Sequence, residues 1–154
     1  MTIIPATPAH AADIAQLIMT AMTEDCCQYL AGKEHTLDDF YHMMLDLVLM
    51  DDSQYSWRNT FVAVDEEATE GNVEYAPVAG AIVGYNGADL HRLRRRFQEE
   101  ALKQLQMDYS QMDDETEAGE FYLDSLAIYP EYRRRGIARQ LLKHATEHAA
   151  SLNL

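Results

Sequence analysis

The sequence predicts one α/β domain in which helices cover the faces of a mixed β-sheet. Three observations carry that prediction. Short apolar runs that read as strands alternate with longer segments whose apolar residues recur every three or four positions. The junctions carry Pro, Gly or Thr where elements start and stop. The 154 residues hold no internal repeat and no linker-like stretch, so 1–154 reads as a single domain built in layers.

The elements follow in order. "TIIP" is a short apolar run stopped by Pro5 and reads as a first strand. In "TPAHAADIAQLIMTAM", Thr7 is placed to cap a helix with Pro8 at its first position, and Ile14, Leu17, Ile18, Ala21 and Met22 form the apolar stripe. "TLDDFYHMMLDLVLM" is a second helix, capped by Thr36, with Phe40, Met43, Met44, Leu47 and Val48 facing inward as core. "NTFVAVDEE" and "PVAGAIVGYNG" read as two hairpin strands, the second apolar on both faces and therefore central. Residues 88–112 read as a third helix, with Leu90, Leu93, Phe97, Leu102 and Leu105 roughly on one side, and "DDETEAGE" as an acidic loop. "EFYLDSLAIYP" is a strand stopped by Pro130. "RRGIARQLLKHATEHAA" is a helix, and "SLNL" begins another extended segment. The expected order is thus βααββαβαβ.

Composition removes several classes. A net charge of −14 opposes nucleic acid and other polyanions as partners. No apolar run approaches the roughly 18 residues of a membrane span, and the N-terminus has no basic and apolar leader pattern, so the expected compartment is the cytoplasm. Cys26 and Cys27 are adjacent, and neighbouring Cα atoms lie closer together than an ordinary disulfide prefers, so two reduced thiols are expected. His144 and His148 share a helix face but lack a third ligand, so no metal is expected. The "HRLRRRFQ" cluster, residues 91–98, is read as a solvated helix face, with a phosphate or nucleic-acid contact as its competitor.

One stretch stands apart from the acidic background. "YPEYRRRGIARQLL" brings four arginines and a glycine to a strand-to-helix junction. The first amides of a helix lack intrahelical partners and carry the positive end of its dipole. Gly136 removes a Cβ, so a ligand can come close to that backbone. Together these make a phosphate cradle, reinforced by Arg133, Arg134, Arg135 and Arg139. A Walker loop and a dinucleotide fingerprint are both absent.

What remains, Arg133 to Ala138, is R-x-x-G-x-A, and here the sequence resembles the GNAT superfamily of N-acetyltransferases, whose pyrophosphate loop is [QR]-x-x-G-x-[GA]. "LDSLAIYPEYRRRGIA" looks like the strand, loop and helix of that family, and "IIPATPAHAADIAQLI" like its first strand and helix. The resemblance implies a GNAT-like fold that binds acetyl-CoA. The strand backbone of Leu126, Ala127 and Ile128 would pair with the pantetheine arm. Arg133, Arg134, Arg135, Gly136, Ile137, Ala138 and Arg139 would hold the pyrophosphate. The implied reaction moves acetyl from acetyl-CoA to an amine by direct attack, without a covalent enzyme intermediate and without a metal.

Such attack needs a base for the amine proton. On a strand Glu120, Tyr122 and Asp124 share one face, and they are the catalytic candidates. Tyr122 aligns best with the family's carboxylate position, which leaves the base open between Glu120 and Asp124. Against the family pattern the sequence also lacks a last helix and hairpin. The expectation is a domain truncated at its C-terminus, with an open edge that a second copy could cover as a homodimer. The acidic surface points to a cationic small-molecule or peptide amine as acceptor. A non-catalytic acyl-CoA sensor or protein-interaction domain is the alternative reading.

Overall fold

The computed structural model describes residues 1–154. Strand β1 (Thr2–Pro5) leads through a short 3-10 turn into helix α1 (Ala11–Met22), which buries Ile14, Leu17 and Ile18. Helix α3 (Leu37–Leu49) begins as its sequence predicts. The Asp39 amide donates to the Thr36 hydroxyl at 3.1 Å, and the Thr36 amide donates to the Asp39 carboxylate at 2.9 Å. Its Phe40–Met43–Met44–Leu47–Val48 stripe is fully buried.

Between them lies a helix the periodicity does not announce, α2 (Glu24–Ala31). Thr23 adopts a positive φ of 78° and breaks the chain direction, and its hydroxyl accepts from the Cys26 amide at 3.4 Å. Only Cys27 and Ala31 of this helix are buried, too few to write a readable stripe. Both thiols are free, Cys26 exposed and Cys27 buried.

Strands β2 (Thr60–Val64), β3 (Val78–Asn86) and β4 (Phe121–Ile128) join β1 in one sheet of order β1-β2-β3-β4. All three pairings are antiparallel, so the expected parallel pairing does not occur among these strands. The apolar β3 is central, flanked by β2 and β4. Val62, Val64, Ala81, Val83 and Ala127 face the N-terminal helices, while Ala63, Ala79 and Ile82 face helix α5 (Ile137–Ser151) through its Ile137, Leu141 and Ala145.

The expected extended segment at 151–154 is instead the end of α5. Asn153 sits in the left-handed region at φ 63°, the Asn153 amide donates to the Ala150 carbonyl, and the Leu154 amide donates to the Ala149 carbonyl, each at 3.0 Å. That pair of bonds is a Schellman termination, and Asn is one of the few residues that accepts its left-handed position.

Helix α4 (Leu90–Glu100) is shorter than expected. It loosens into a π-helical turn over Ala101–Leu105 and stops at Gln106, φ 55°. The wider turn buries Ala101 and Leu105 but rotates Leu102 outward, to 59% exposure. The arginine cluster is also not a wholly solvated face. Arg92 and Arg95 are exposed, but Arg94 is buried and donates to the Asp113 carbonyl at 2.8 Å and the Asp114 carboxylate at 2.7 Å. His91 reaches Asp114 at 3.0 Å, so this helix anchors the acidic loop 113–120 beside β4.

No group of three or more His, Cys, Asp and Glu side chains is placed to hold a metal, and no helix is long and apolar enough to cross a membrane. His144 and His148 pack edge-on against Phe61, with ring centroids 4.6 and 5.3 Å away.

Candidate active site

The site has two parts on one strand. At the C-terminal end of β4 the chain passes through a 3-10 turn (Pro130–Tyr132) and then twists. Arg134 takes φ 65° and Gly136 takes φ 76°, and α5 begins at Ile137 with no side chain capping it. A Cβ at Gly136 would meet nothing within 4 Å, so the space before the first helix amides is open. Ile137 is buried under the sheet, while Arg133, Arg134, Arg135, Ala138 and Arg139 are exposed. None of these four arginines joins a salt bridge, in a chain with 26 acidic residues. Their charge is left available to an anion. Two of them fold back on the nearby backbone. Arg133 Nε donates to the Ile128 carbonyl at 3.0 Å, and Arg135 donates to the Glu131 carbonyl at 3.1 Å while lying over the Tyr132 ring.

β4 is an edge strand. The Tyr129 amide donates to the Ala79 carbonyl at 2.8 Å, toward β3. Antiparallel alternation then turns the backbone groups of Ala127 toward β3 and those of Leu126 and Ile128 outward. The bond from Arg133 to the Ile128 carbonyl agrees with this. Of the three strand residues named from the sequence, Leu126 therefore turns both backbone groups outward and Ile128 its amide, the Ile128 carbonyl being taken by Arg133, while Ala127 contributes its buried side chain to the core. The Tyr129 hydroxyl donates to Asp13 Oδ1 at 2.6 Å and ties the end of β4 to the start of α1.

The second part lies upstream. Val83 pairs with Ser125 and Gly84 with Leu123, so Asp124 is an extra residue without a partner, a β-bulge. The bulge turns Asp124 toward the layer that holds Tyr85 and Tyr122, whose rings lie 5.7 Å apart. Asp124 Oδ2 accepts from the Tyr85 hydroxyl at 3.1 Å and from Gln54 Nε2 at 3.4 Å, and its Oδ1 accepts from Ser125 at 3.4 Å. Burial, helped by the nearby Glu115 charge, pushes the Asp124 carboxyl up to about 6, and these hydrogen bonds only partly oppose it. The Tyr122 hydroxyl donates to Glu115 Oε2 at 2.6 Å. Burial first, and then neighbouring carboxylates, raise the phenols of Tyr55, Tyr85 and Tyr122.

Glu120 does not join this group. It stands exposed just before β4, where its carboxylate accepts from the Thr116 hydroxyl at 2.9 Å and the Glu117 amide at 3.0 Å. It lines a hollow of about 230 Å³ with Asp114, Glu115, Thr116 and Glu117. Gln54, Tyr55, Tyr85 and Glu115 carry no motif in the sequence. They meet Asp124 only because the segment after α3, the hairpin and the acidic loop converge on the bulge.

The model of the family described as "Acetyltransferase (GNAT) family" matches residues 22–154. No curated protein matches the chain. Among solved structures, one described as an acetyltransferase superposes with a TM-score of 0.75 at 22% identity, over 99% of this chain and 76% of its own. An N-acetyltransferase from Staphylococcus aureus Mu50 superposes with a TM-score of 0.70 at 23% identity, over 96% of this chain and 76% of its own. At that identity the likeness is one of fold.

Proposed function

This chain belongs to the GNAT acetyltransferase family, and from that premise we propose that it transfers acetyl from acetyl-CoA to a primary amine by direct attack. One observation carries the reading. A half-buried carboxylate on an edge strand lies upstream of free backbone groups and an uncapped, arginine-ringed helix start on the same run of chain. A single extended ligand with a pyrophosphate at one end and a reactive group at the other would span the two.

The residues present fit acetyl-CoA. The open space at Gly136 is the room a diphosphate would fill against the amides of Ile137, Ala138 and Arg139. Arg133, Arg134, Arg135 and Arg139 complement its charge. Leu126 offers both outward backbone groups to the pantetheine amides and Ile128 its amide, with the Ile128 carbonyl joining once Arg133 turns to the phosphate. Bound acetyl-CoA supplies an activated acetyl group as its thioester.

Asp124 then acts as the base. It is mostly ionised at neutral pH yet basic enough to accept the amine proton, which frees the nitrogen lone pair for the thioester carbonyl. The C–N bond forms as the C–S bond breaks. Tyr55, Tyr85 and Tyr122 keep their protons at neutral pH and are the donors at hand for the leaving thiolate. The acceptor is a cation in its resting form, matched to a protein of net charge −14 and to the carboxylates of loop 113–120.

Two measurements test the proposal. Calorimetry should show coenzyme A binding, and no heat at millimolar ligand would remove the cofactor site. A thiol-release assay across alkylamines, polyamines and peptide amines should find turnover. Tight binding with no release from any amine would instead favour an acyl-CoA sensor.

A further inference from the structure

The turn that follows β4 is pinned by its own backbone and by two phenols. The Tyr132 amide donates to the Tyr129 carbonyl at 2.9 Å, and the Arg133 amide to the Pro130 carbonyl at 3.3 Å. The Tyr129 hydroxyl donates to Asp13 at 2.6 Å, and the Tyr132 hydroxyl to Asp65 at 3.1 Å. The two phenols pack on opposite faces of the sheet, Tyr129 with the N-terminal helices and Tyr132 with α5. The Arg133 side chain has no such hold. It is exposed and joins no salt bridge. Its single tie runs from Nε to the Ile128 carbonyl, at 3.0 Å.

That tie sits where a strand-like ligand has to go. Ile128 turns its carbonyl outward on the open edge of β4. A pantetheine arm is an extended chain with two amides, and on a sheet edge it pairs as an added strand does. Pairing at Ile128 needs the carbonyl and the space beside it, and the guanidinium occupies both. The arm alone brings no charge to draw the guanidinium away. A phosphate does, because a charged oxygen pair open to a bidentate grip is a stronger partner for a guanidinium than a neutral carbonyl.

We infer that Arg133 is a specificity-determining residue for the acyl donor: it closes the Ile128 end of the edge to a pantetheine arm that arrives without an anion and opens it to one that carries a diphosphate. This rests on the acetyl-transfer reading above. One side chain thereby couples the two ends of the ligand site. An anion at the cradle draws the guanidinium off the carbonyl, and the freed carbonyl accepts from the arm. By linkage, the arm strengthens binding of the anion by the same factor. An acyl-CoA meets both conditions at once, whereas a free pantetheine thioester meets one.

Pantetheine, inorganic pyrophosphate and coenzyme A are the probes. Ligand-observed NMR titration reads the Kd of pantetheine, and calorimetry reads that of coenzyme A. Saturating pyrophosphate should lower the Kd of pantetheine about threefold to tenfold, the span of one net hydrogen bond. Arg133→Met keeps the exposed position filled and removes the donor. Pantetheine should bind this variant more tightly than the unmodified protein, by a similar factor, and pyrophosphate should no longer help it. Coenzyme A should bind the variant more weakly, because its diphosphate loses a guanidinium. A merely structural role would move pantetheine and coenzyme A in the same direction, and that result overturns the proposal. A pantetheine Kd that ignores pyrophosphate, or that Arg133→Met leaves unchanged, overturns it too, as does pantetheine binding detected in neither protein. Coenzyme A that fails to bind the unmodified protein defeats the acetyl-transfer reading itself. Coenzyme A that binds, with pantetheine indifferent to Arg133, defeats this inference alone.

Discussion

Asp124→Asn should make the protein less active and more stable at once. Asp124 binds its proton more tightly in the folded state, at about 6, than at the reference value of 3.8. Folding is then assisted by protonation. The favourable contribution is fully present below about pH 4 and is lost as pH rises through 6, where the partly buried carboxylate must carry its charge. Asparagine never carries it. With 1.36 kcal/mol per pKa unit and a difference of about 2 units, the variant gains at most about 3 kcal/mol at pH 7. For a domain of this size that is a rise in Tm of no more than about 10 °C, and the gain should disappear near pH 4. Activity moves the other way, because loss of a general base costs about a hundredfold to ten-thousandfold. Thermal melts at pH 4 and 7 read the first effect, and thiol release reads the second. In the unmodified enzyme, about 90% of Asp124 is ionised at pH 7 and about 10% at pH 5. The ratio of its rate to that of the variant should therefore fall about tenfold across that interval. A variant that keeps full turnover, or is no more stable at pH 7 than its parent, would refute the assignment of a desolvated base to this bulge.

Three further outcomes are expected. Gly136→Val places a β-branched residue at φ 76° and fills the open space before α5. It should weaken coenzyme A binding at least tenfold by calorimetry, with a stability loss of about 1–2 kcal/mol. Arg94→Met breaks a buried charge-assisted clamp on loop 113–120 and should cost about 2 kcal/mol in urea unfolding. The same assay should show under about 0.5 kcal/mol for the exposed Arg95→Ala. At Gly87, an added Cβ would run into the Glu117 carbonyl and the Thr116 hydroxyl. Gly87→Ala should cost about 1–3 kcal/mol, visible as a lower urea midpoint.

The scaffold and the Arg133–Ala138 turn are readable in the sequence for local reasons. Helix stripes such as Phe40–Met43–Met44–Leu47 repeat every three or four residues, and the Arg133–Ala138 loop is one contiguous motif. The candidate catalytic half is legible only in part. Strict alternation put Glu120, Tyr122 and Asp124 on one face, but Glu120 precedes the strand, and the bulge leaves Asp124 without a partner. Gln54 and Asp124 are 70 positions apart, so nothing local links them. Arg94 hid in a run of arginines because only the fold decides which of them points inward. The end of α5 reads as extended in the sequence because Asn153 resembles a loop residue, whereas in the fold it takes the left-handed capping position.

The outward backbone of β4 has a last consequence. An edge with free donors and acceptors is a template for a strand of another chain. The Arg133 guanidinium, folded back on the Ile128 carbonyl, blunts one position of that template and sets a positive charge beside it. A bound substrate that used Leu126 and Ile128 would mask the rest. On this view a strand-like ligand and the Arg133 guanidinium do the same work at different positions, each keeping the open edge from recruiting its own kind.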